Sequence, residues 1–291
     1  MSVRLREATD AIRRETNGRL DINVFPSGVL GADPALVEQV REGAIAFTAN
    51  SGAILSSITP LSGIDNVAFA FRDTTSARRA VDGALGALIR SELGKSGFFV
   101  FQRPFDTGFR QVTSASRQIR KADDFAGFKI RTPQSRMFYD MFHTLGASPT
   151  PVELSSLYVS LQTKLVDGQE TPYSFVENAH LFEVQHYLSV TNHAWTGFWL
   201  IANPGAWNAL PADLRAIAAR NFDAAVDQER HDIILQTAAL ADRLRRQGMT
   251  FITDVDVPSM RDKLKPYYAR WKAQFGETAW SLLESTTGRL A

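Results

Sequence analysis

Gly127-Phe128-Lys129-Ile130-Arg131-Thr132-Pro133 decides the fold, read together with Val166-Asp167-Gly168-Gln169-Glu170-Thr171-Pro172. In the first stretch Phe128, Ile130 and Thr132 alternate with Lys129 and Arg131, the period of a strand with one face buried. Thr132-Pro133 ends it, because the residue before a proline is held extended. Between the two stretches lie helical patterns at 134–145 and 154–165, with a turn at Gly146. Arg131 therefore stands at the C-terminal end of a strand that feeds a helix, the edge at which open α/β sheets bind ligands. A guanidinium cannot shed its proton, so a partly buried one needs a fixed anion beside it. That anion is either a neighbouring Asp or Glu or the carboxylate of a small solute held in the planar fork.

Working outward, helix and strand patterns alternate. Residues 1–17 read as a helix stopped at Asn17-Gly18, and 20–26 as a strand. Asp33-Pro34 reads as an N-cap with proline at the first helical position, opening a helix that stops at Gly43. Residues 44–49 are a buried strand with Asn50-Ser51-Gly52 just past its end. Residues 74–93 are expected as one helix capped by Thr75 or Ser76 and weakened by Gly83 and Gly86. Residues 98–113 form an extended stretch able to cross between two lobes, with Arg110 near the crossing. Residues 187–195 and 198–202 carry the chain back. The longest helix spans 211–247, started by Pro211 and stopped by Gly248, with Arg243, Arg245 and Arg246 complementing its dipole. A strand at 249–255 and helices at 258–275 and 277–284 are expected to close the second lobe. This spacing indicates right-handed βαβ units around a mostly parallel sheet, an α/β fold class.

Composition narrows the function. Lys and Arg number 32 against 31 Asp and Glu, so no charge field suits nucleic acid or an acidic membrane surface. With no cysteine, disulfides and thiolate metal sites are excluded. His180, His186 and His193 lack metal-ligand spacing, Gly83-Ala84-Leu85-Gly86 is too short for a phosphate loop, and there is no Gly-x-Ser-x-Gly elbow. No cofactor and no metal are expected. Asp167 and Glu170 are the one tempting acid pair; Asp167-Gly168 reads as a turn and Glu170 as a charged strand end, so nothing asks for an enzyme. No apolar run reaches the ~18 residues of a membrane span, and residues 1–20 carry no apolar export signal.

A series of motifs occurs in fixed order. It comprises Gly108-Phe109-Arg110-Gln111-Val112-Thr113, the Arg131 stretch, Leu145-Gly146-Ala147-Ser148-Pro149-Thr150-Pro151, Leu157-Tyr158 with Leu161-Gln162, Val166-Asp167-Gly168-Gln169-Glu170 and Thr191-Asn192-His193. Asn203, Trp207 and Leu210-Pro211 follow. Together they resemble the solute receptors of tripartite ATP-independent periplasmic (TRAP) transporters, DctP type, over about residues 19–220. The resemblance implies a two-lobed periplasmic binding protein-like (type II) fold with a long bridging helix. Lobe I would hold 1–108 plus 197–236, and lobe II 109–196 plus 237–291. It implies a periplasmic monomer, with no membrane span of its own, that closes on a small organic carboxylate and presents it to TRAP membrane permease subunits. Residues 60–72 resemble the family's apolar hairpin-like segment, with Ala68 in place of a usual proline. The family has a strand before the first helix, so the first-lobe sheet is expected to lack its leading strand, and the chain a signal peptide.

By the same resemblance Arg131 is the carboxylate fork, and Arg110 a second donor to the solute or to that fork. The other reading of Arg110 is a salt bridge between lobes. Thr171 stands where the family usually has asparagine, and Leu154 where an aromatic is common. Trp195 and Trp199 share one face, either as core or as an aromatic wall against a sugar ring, with Asn192 or His193 bonding hydroxyls. Tyr173 and Asn50 complete the candidates. A sugar acid such as a uronate is the expected solute, with a C4-dicarboxylate or aromatic acid as the alternative. An enzyme or a sensory module acting on the same acids are the rival classes.

Overall fold

The computed structural model describes residues 1–290, and one strand organises them. In chain order the strands are β1 (Phe47–Ser51), β2 (Phe99–Val100), β3 (Phe105–Ser114), β4 (Lys129–Thr132), β5 (Ser148–Pro151), β6 (Gly168–Pro172), β7 (Tyr187–Ser189), β8 (Trp195–Ala202) and β9 (Thr250–Ile252). They follow the order β1-β8-β3-β6-β4-β5, with β2 beside β8, and β7 linking β3 to β9. The first half of β3 pairs with β8, and the half from Arg110 onward with β6 and β7. The register shifts between Asp106 and Phe109, where Gly108 takes φ +85°, a conformation that only glycine adopts freely. β3 thus runs from one lobe of the α/β fold into the other.

The expectation of a mostly parallel sheet is corrected. Strand pairs β4–β5, β4–β6 and β7–β9 are parallel, as the βαβ spacing requires. The long strands β3 and β8, however, run antiparallel to every neighbour. They are return strands between the lobes, and helix–strand spacing does not report their direction.

Other elements also differ from their sequence reading. Residues 20–26 alternate in exposure but join no ladder. Leu20 and Ile22 turn inward onto the cluster around Phe47, Phe101 and Trp207, while Phe25 is 58% exposed. Alternation sets which side chains point inward; a strand also needs a partner backbone, and β1 pairs with β8 alone. Residues 60–72 contain a 3₁₀ helix, Pro60–Asn66, instead of a hairpin. Polar side chains hold it: Trp199 Nε1 donates to Asp65 at 3.0 Å and the Ala53 amide to Asn66 at 3.0 Å. The helix at 74–93 divides at Gly83 into Thr74–Asp82 and Ala84–Lys95, and its cap is Asp73, in a capping box with Ser76.

The long helix, Ala212–Arg246, has 35 residues and is about 50 Å long. Its early turns, through Phe222 and Val226, pack on the core around Phe101 and Phe105, and Leu244 packs with Leu157, Leu181 and Leu188 of lobe II. It therefore braces both lobes. The helices Lys265–Phe275 and Glu277–Thr287, read from sequence as closing lobe II, pack on Pro60–Asn66, on the paired helices Thr74–Asp82 and Ala84–Lys95, and on Arg136–Thr144. Hydrophobic patterning identifies a buried helix face, not the surface that buries it.

Gly168 is the first residue of β6 and not part of a turn. A Cβ there would stand 2.1 Å from the Thr113 carbonyl oxygen and 2.5 Å from Phe128 Cζ. Gly168→Ala is expected to push β6 off β3 and destabilise the fold by about 1–3 kcal/mol. Urea denaturation measures this as a lower midpoint.

Candidate functional site

The site begins where β4 ends. Arg131 is 3% exposed, and its Nε donates to the Val152 carbonyl at 2.7 Å. That bond orients the guanidinium at the end of β5, the neighbouring strand. Its two terminal nitrogens have no hydrogen-bond partner among the described residues. Glu170, the acid that acts on it most strongly, is bound to another arginine. Burial pushes Arg131 down to about 10, against the attraction of Glu170, Glu153 and Asp33. A buried cation with an open fork is a costly arrangement unless an anion completes it.

Buried polar groups without partners occur on β4, just beyond it and on the neighbouring β6. Arg131 is in register with Gln169. Gln169 Oε1, Thr171 Oγ1, Thr132 Oγ1 and Ser135 Oγ are all buried and unpartnered. Gln169 and Thr171 lie two apart on β6 and so on one face. From lobe I, Asn50 adds an unpartnered Oδ1 near the end of β1, while its Nδ2 donates to Thr48 at 3.2 Å. Native interiors satisfy almost all such groups. Gln169 and Thr171, on the face of β6 in register with Arg131, suit a polar anion held at that guanidinium.

Arg110 is placed differently. Its Nη2 donates to Glu170 Oε1 at 2.8 Å and to the Glu170 carbonyl at 2.9 Å, and its Nε bonds the other carboxylate oxygen. Its guanidinium lies over the Phe138 ring at 4.8 Å. Glu170 in turn meets His193 Nε2 at 3.0 Å, and His193 Nδ1 meets Thr191 Oγ1 at 2.8 Å. All are buried. This corrects the reading of Glu170 as a charged strand end: it is the hub of a buried network. The ion pair joins the adjacent strands β3 and β6, so it does not span the lobes. Burial opposes the Glu170 charge, yet Arg110 and His193 hold its carboxyl below the usual range. Burial lowers His193, which favours the neutral ring.

The remaining candidates spread out. Asn192 is exposed, takes φ +44°, and is held by Gln111, whose Nε2 donates to Asn192 Oδ1 at 2.6 Å. Gln111 lies opposite Thr171 in the ladder, so Asn192 stays beside that strand. Trp195 and Trp199 are both core residues, the first of the two readings. Trp195 is 1% exposed, and its Nε1 donates to Asp106 Oδ1 at 2.8 Å. Tyr173 packs on Phe251 with ring centroids 5.8 Å apart, and burial pushes its phenol up to about 12. Leu154 is exposed, at the start of a single 3₁₀ turn.

Two acids near Arg131 escape a sequence reading. Asp33 is the first helical residue of Asp33–Glu42, with Ala32 as the N-cap, so its carboxylate caps nothing. Glu153 directly follows Val152, whose carbonyl Arg131 holds. Both are raised, chiefly by burial, and both lie within electrostatic reach of Arg131. Glu153 also feels Asp33 from the other lobe. The Asp-Pro signature of a helix start hid the first, and nothing local marks the second. No group of three or more His, Asp or Glu suited to a metal ion occurs among the described residues. No described helix is long and apolar enough to cross a membrane.

The chain is similar to a known family along most of its length. The model of the bacterial extracellular solute-binding proteins, family 7, matches residues 5–274. The 2,3-diketo-L-gulonate-binding periplasmic protein YiaO of Escherichia coli is 29% identical over 88% of this chain and 77% of its own. A TRAP periplasmic solute-binding protein from Polaromonas, solved bound to D-erythronate, is 28% identical, superposes with a TM-score of 0.92, and is covered over 94% of its chain by 99% of this one. One from Sulfitobacter with bound β-D-galacturonate shares the fold at a TM-score of 0.94 and 23% identity, over 99% of this chain and 95% of that one. Matched along nearly its whole length, the chain belongs to family 7 of the bacterial extracellular solute-binding proteins, a family of solute receptors and not of enzymes.

Proposed function

We propose that this chain binds a small hydroxylated monocarboxylate, a sugar acid of the uronate or aldonate type, between its lobes, and delivers it to the membrane subunits of a TRAP-type transporter. The observation that carries this reading is the unpaired, buried fork of Arg131. A solute carboxylate would take both terminal nitrogens, with Ser135, Gln169 and Thr171 supplying further bonds from the same lobe. Arg110 serves the site indirectly, since Glu170 already answers its charge. Closure of lobe I would bring up Asn50 and Asp33, acceptors suited to hydroxyl groups.

Charge argues for one carboxylate over two. A single open cation faces Asp33 and Glu153, and a second carboxylate at that end would meet like charge in a poorly solvated space. The names of two relatives support the sugar-acid reading. One is called a 2,3-diketo-L-gulonate-binding protein and the other was solved with D-erythronate. The family name and the relatives' descriptions also support a place outside the cytoplasm, and the receptor is expected to work as a monomer. A thermal-shift panel of D-galacturonate, D-glucuronate, D-erythronate and succinate tests the proposal. The sugar acids are expected to raise the melting temperature more than succinate does. Equal or greater stabilisation by succinate would reverse the choice of solute.

A further inference from the structure

The change of partner along β3 is held by charged residues that the solute site does not use. Asp106 lies at the end of the lobe I half of that strand. Its amide donates to Glu229 Oε2 at 2.9 Å. Its carboxylate accepts from Arg78 Nε at 2.8 Å, Trp195 Nε1 at 2.8 Å and the Gly108 amide at 2.7 Å. The next residue of the long helix, Arg230, grips Asp82 with two bonds of 2.6 and 2.8 Å and the Pro104 carbonyl at 2.9 Å. Arg78 also donates to the Arg230 carbonyl at 2.9 Å. Glu229 and Arg230 are buried. Beyond them, residues 234–239 are exposed until Leu240, which is buried, and Leu244, which packs with Leu157, Leu181 and Leu188. The long helix therefore leaves lobe I at the level where β3 does.

We infer that Glu229 is a positioning residue that sets the pivot of lobe closure, by tying the long helix to the Asp106 peptide at the edge of the strand switch. The inference rests on the receptor reading, in which the lobes close on a solute. Rotation of lobe II must be absorbed in β3 after Asp106, where Gly108 already has left-handed backbone. It must also be absorbed in the long helix after Arg230, where side chains lose their packing. With Asp106 and Arg230 fastened to lobe I, and Trp195 at the start of the third crossing, β8, bonded to Asp106, the connections bend at one level and the motion has a defined axis. Without the Glu229 bond, the Asp106 amide is buried without an acceptor and the strand can slip against the helix. The charged groups facing Glu229 are Asp106 on β3, Arg78 on the helix Thr74–Asp82, and the Met1 amine at 4.0 Å. Burial pushes Glu229 up to about 7, so its charge changes over a range in which the fold can be studied.

The chain has no cysteine, so spin labels can be placed cleanly at exposed Glu42 in lobe I and Gln162 in lobe II, each changed to cysteine. Pulsed electron paramagnetic resonance then reads the interlobe distance at pH ~5.5 and ~8.5, on either side of the Glu229 titration. In the parent protein the distribution is expected to be narrower at the lower pH, where no second carboxylate charge sits beside Asp106. Glu229→Gln should give the same distribution at both pH values, and Glu229→Ala a broad one at both. Glu229→Gln retaining the parent's pH response, or Glu229→Ala matching the parent's width, would overturn the inference. Addition of D-galacturonate or D-erythronate should shorten the parent's distance. Failure of every acid in the panel to do so defeats the receptor reading and the pivot's role in closure, even with the pH response intact.

Discussion

Arg131→Ala is expected to weaken binding of the solute by about 2–5 kcal/mol, roughly thirtyfold to several-thousandfold, because it leaves the solute carboxylate buried without its cation. Isothermal titration calorimetry with the strongest sugar acid from the thermal-shift panel measures it. The empty protein should behave in the opposite sense. Its fork is buried and unanswered apart from the single bond to Val152, so removing the guanidinium relieves a desolvated charge. The variant's melting temperature without solute is therefore expected to equal or exceed the parent's, while the solute-induced rise disappears. A loss under ~1 kcal/mol in affinity would remove Arg131 from the site, since exposed ion pairs are worth no more than that. A large drop in the stability of the empty protein would instead mark it as a structural residue. Arg131→Lys should recover little, because a point charge cannot replace two parallel donors.

Glu170→Ala should have the largest effect on the fold. It strips both carboxylate oxygens from Arg110 and the acceptor from His193 Nε2, leaving a buried guanidinium with the main-chain carbonyl of residue 170 at 2.9 Å, a 3.4 Å contact to Thr196 and the Phe138 ring beneath it. Breaking one side of a buried pair typically costs about 3–5 kcal/mol, so the urea midpoint should fall steeply. Glu170→Gln keeps the shape and an acceptor but not the charge, and should lie between. The decisive comparison is the double variant Arg110→Met, Glu170→Met. If the pair is structural, losing both members should harm stability less than losing Glu170 alone. If the double variant is as unstable as Glu170→Ala, the loss lies elsewhere, for example with His193, and the account of this network fails.

The pH behaviour of the network follows from its shifts. Glu170 is held below its ordinary range, so its contribution to stability is present above the unfolded carboxylate value and is lost as pH falls through the folded one. His193 is also lowered, so the fold favours its neutral form, and acid that protonates the unfolded chain works against the native state. Both act in the same direction: acid loosens the hub.

Much of this was written in local sequence. The alternation of Phe128, Ile130 and Thr132 before Pro133 was enough to put Arg131 at a strand end, because strand period and proline geometry are properties of a few consecutive residues. Pro211 and Gly248 bounded the long helix for the same reason. Ordered motifs were enough to indicate the family. Tertiary structure alone decided which arginine keeps an open fork, since Glu170 lies 60 positions from Arg110 and nothing nearby in sequence shows that the two strands pair. It also decided that residues 20–26 join no sheet, that β3 and β8 run against their neighbours, and that Asp33, Glu153 and Gln169 stand near Arg131. Pairing partner, strand direction and charge neighbourhood are relations between distant segments; a residue's own neighbours along the chain do not encode them.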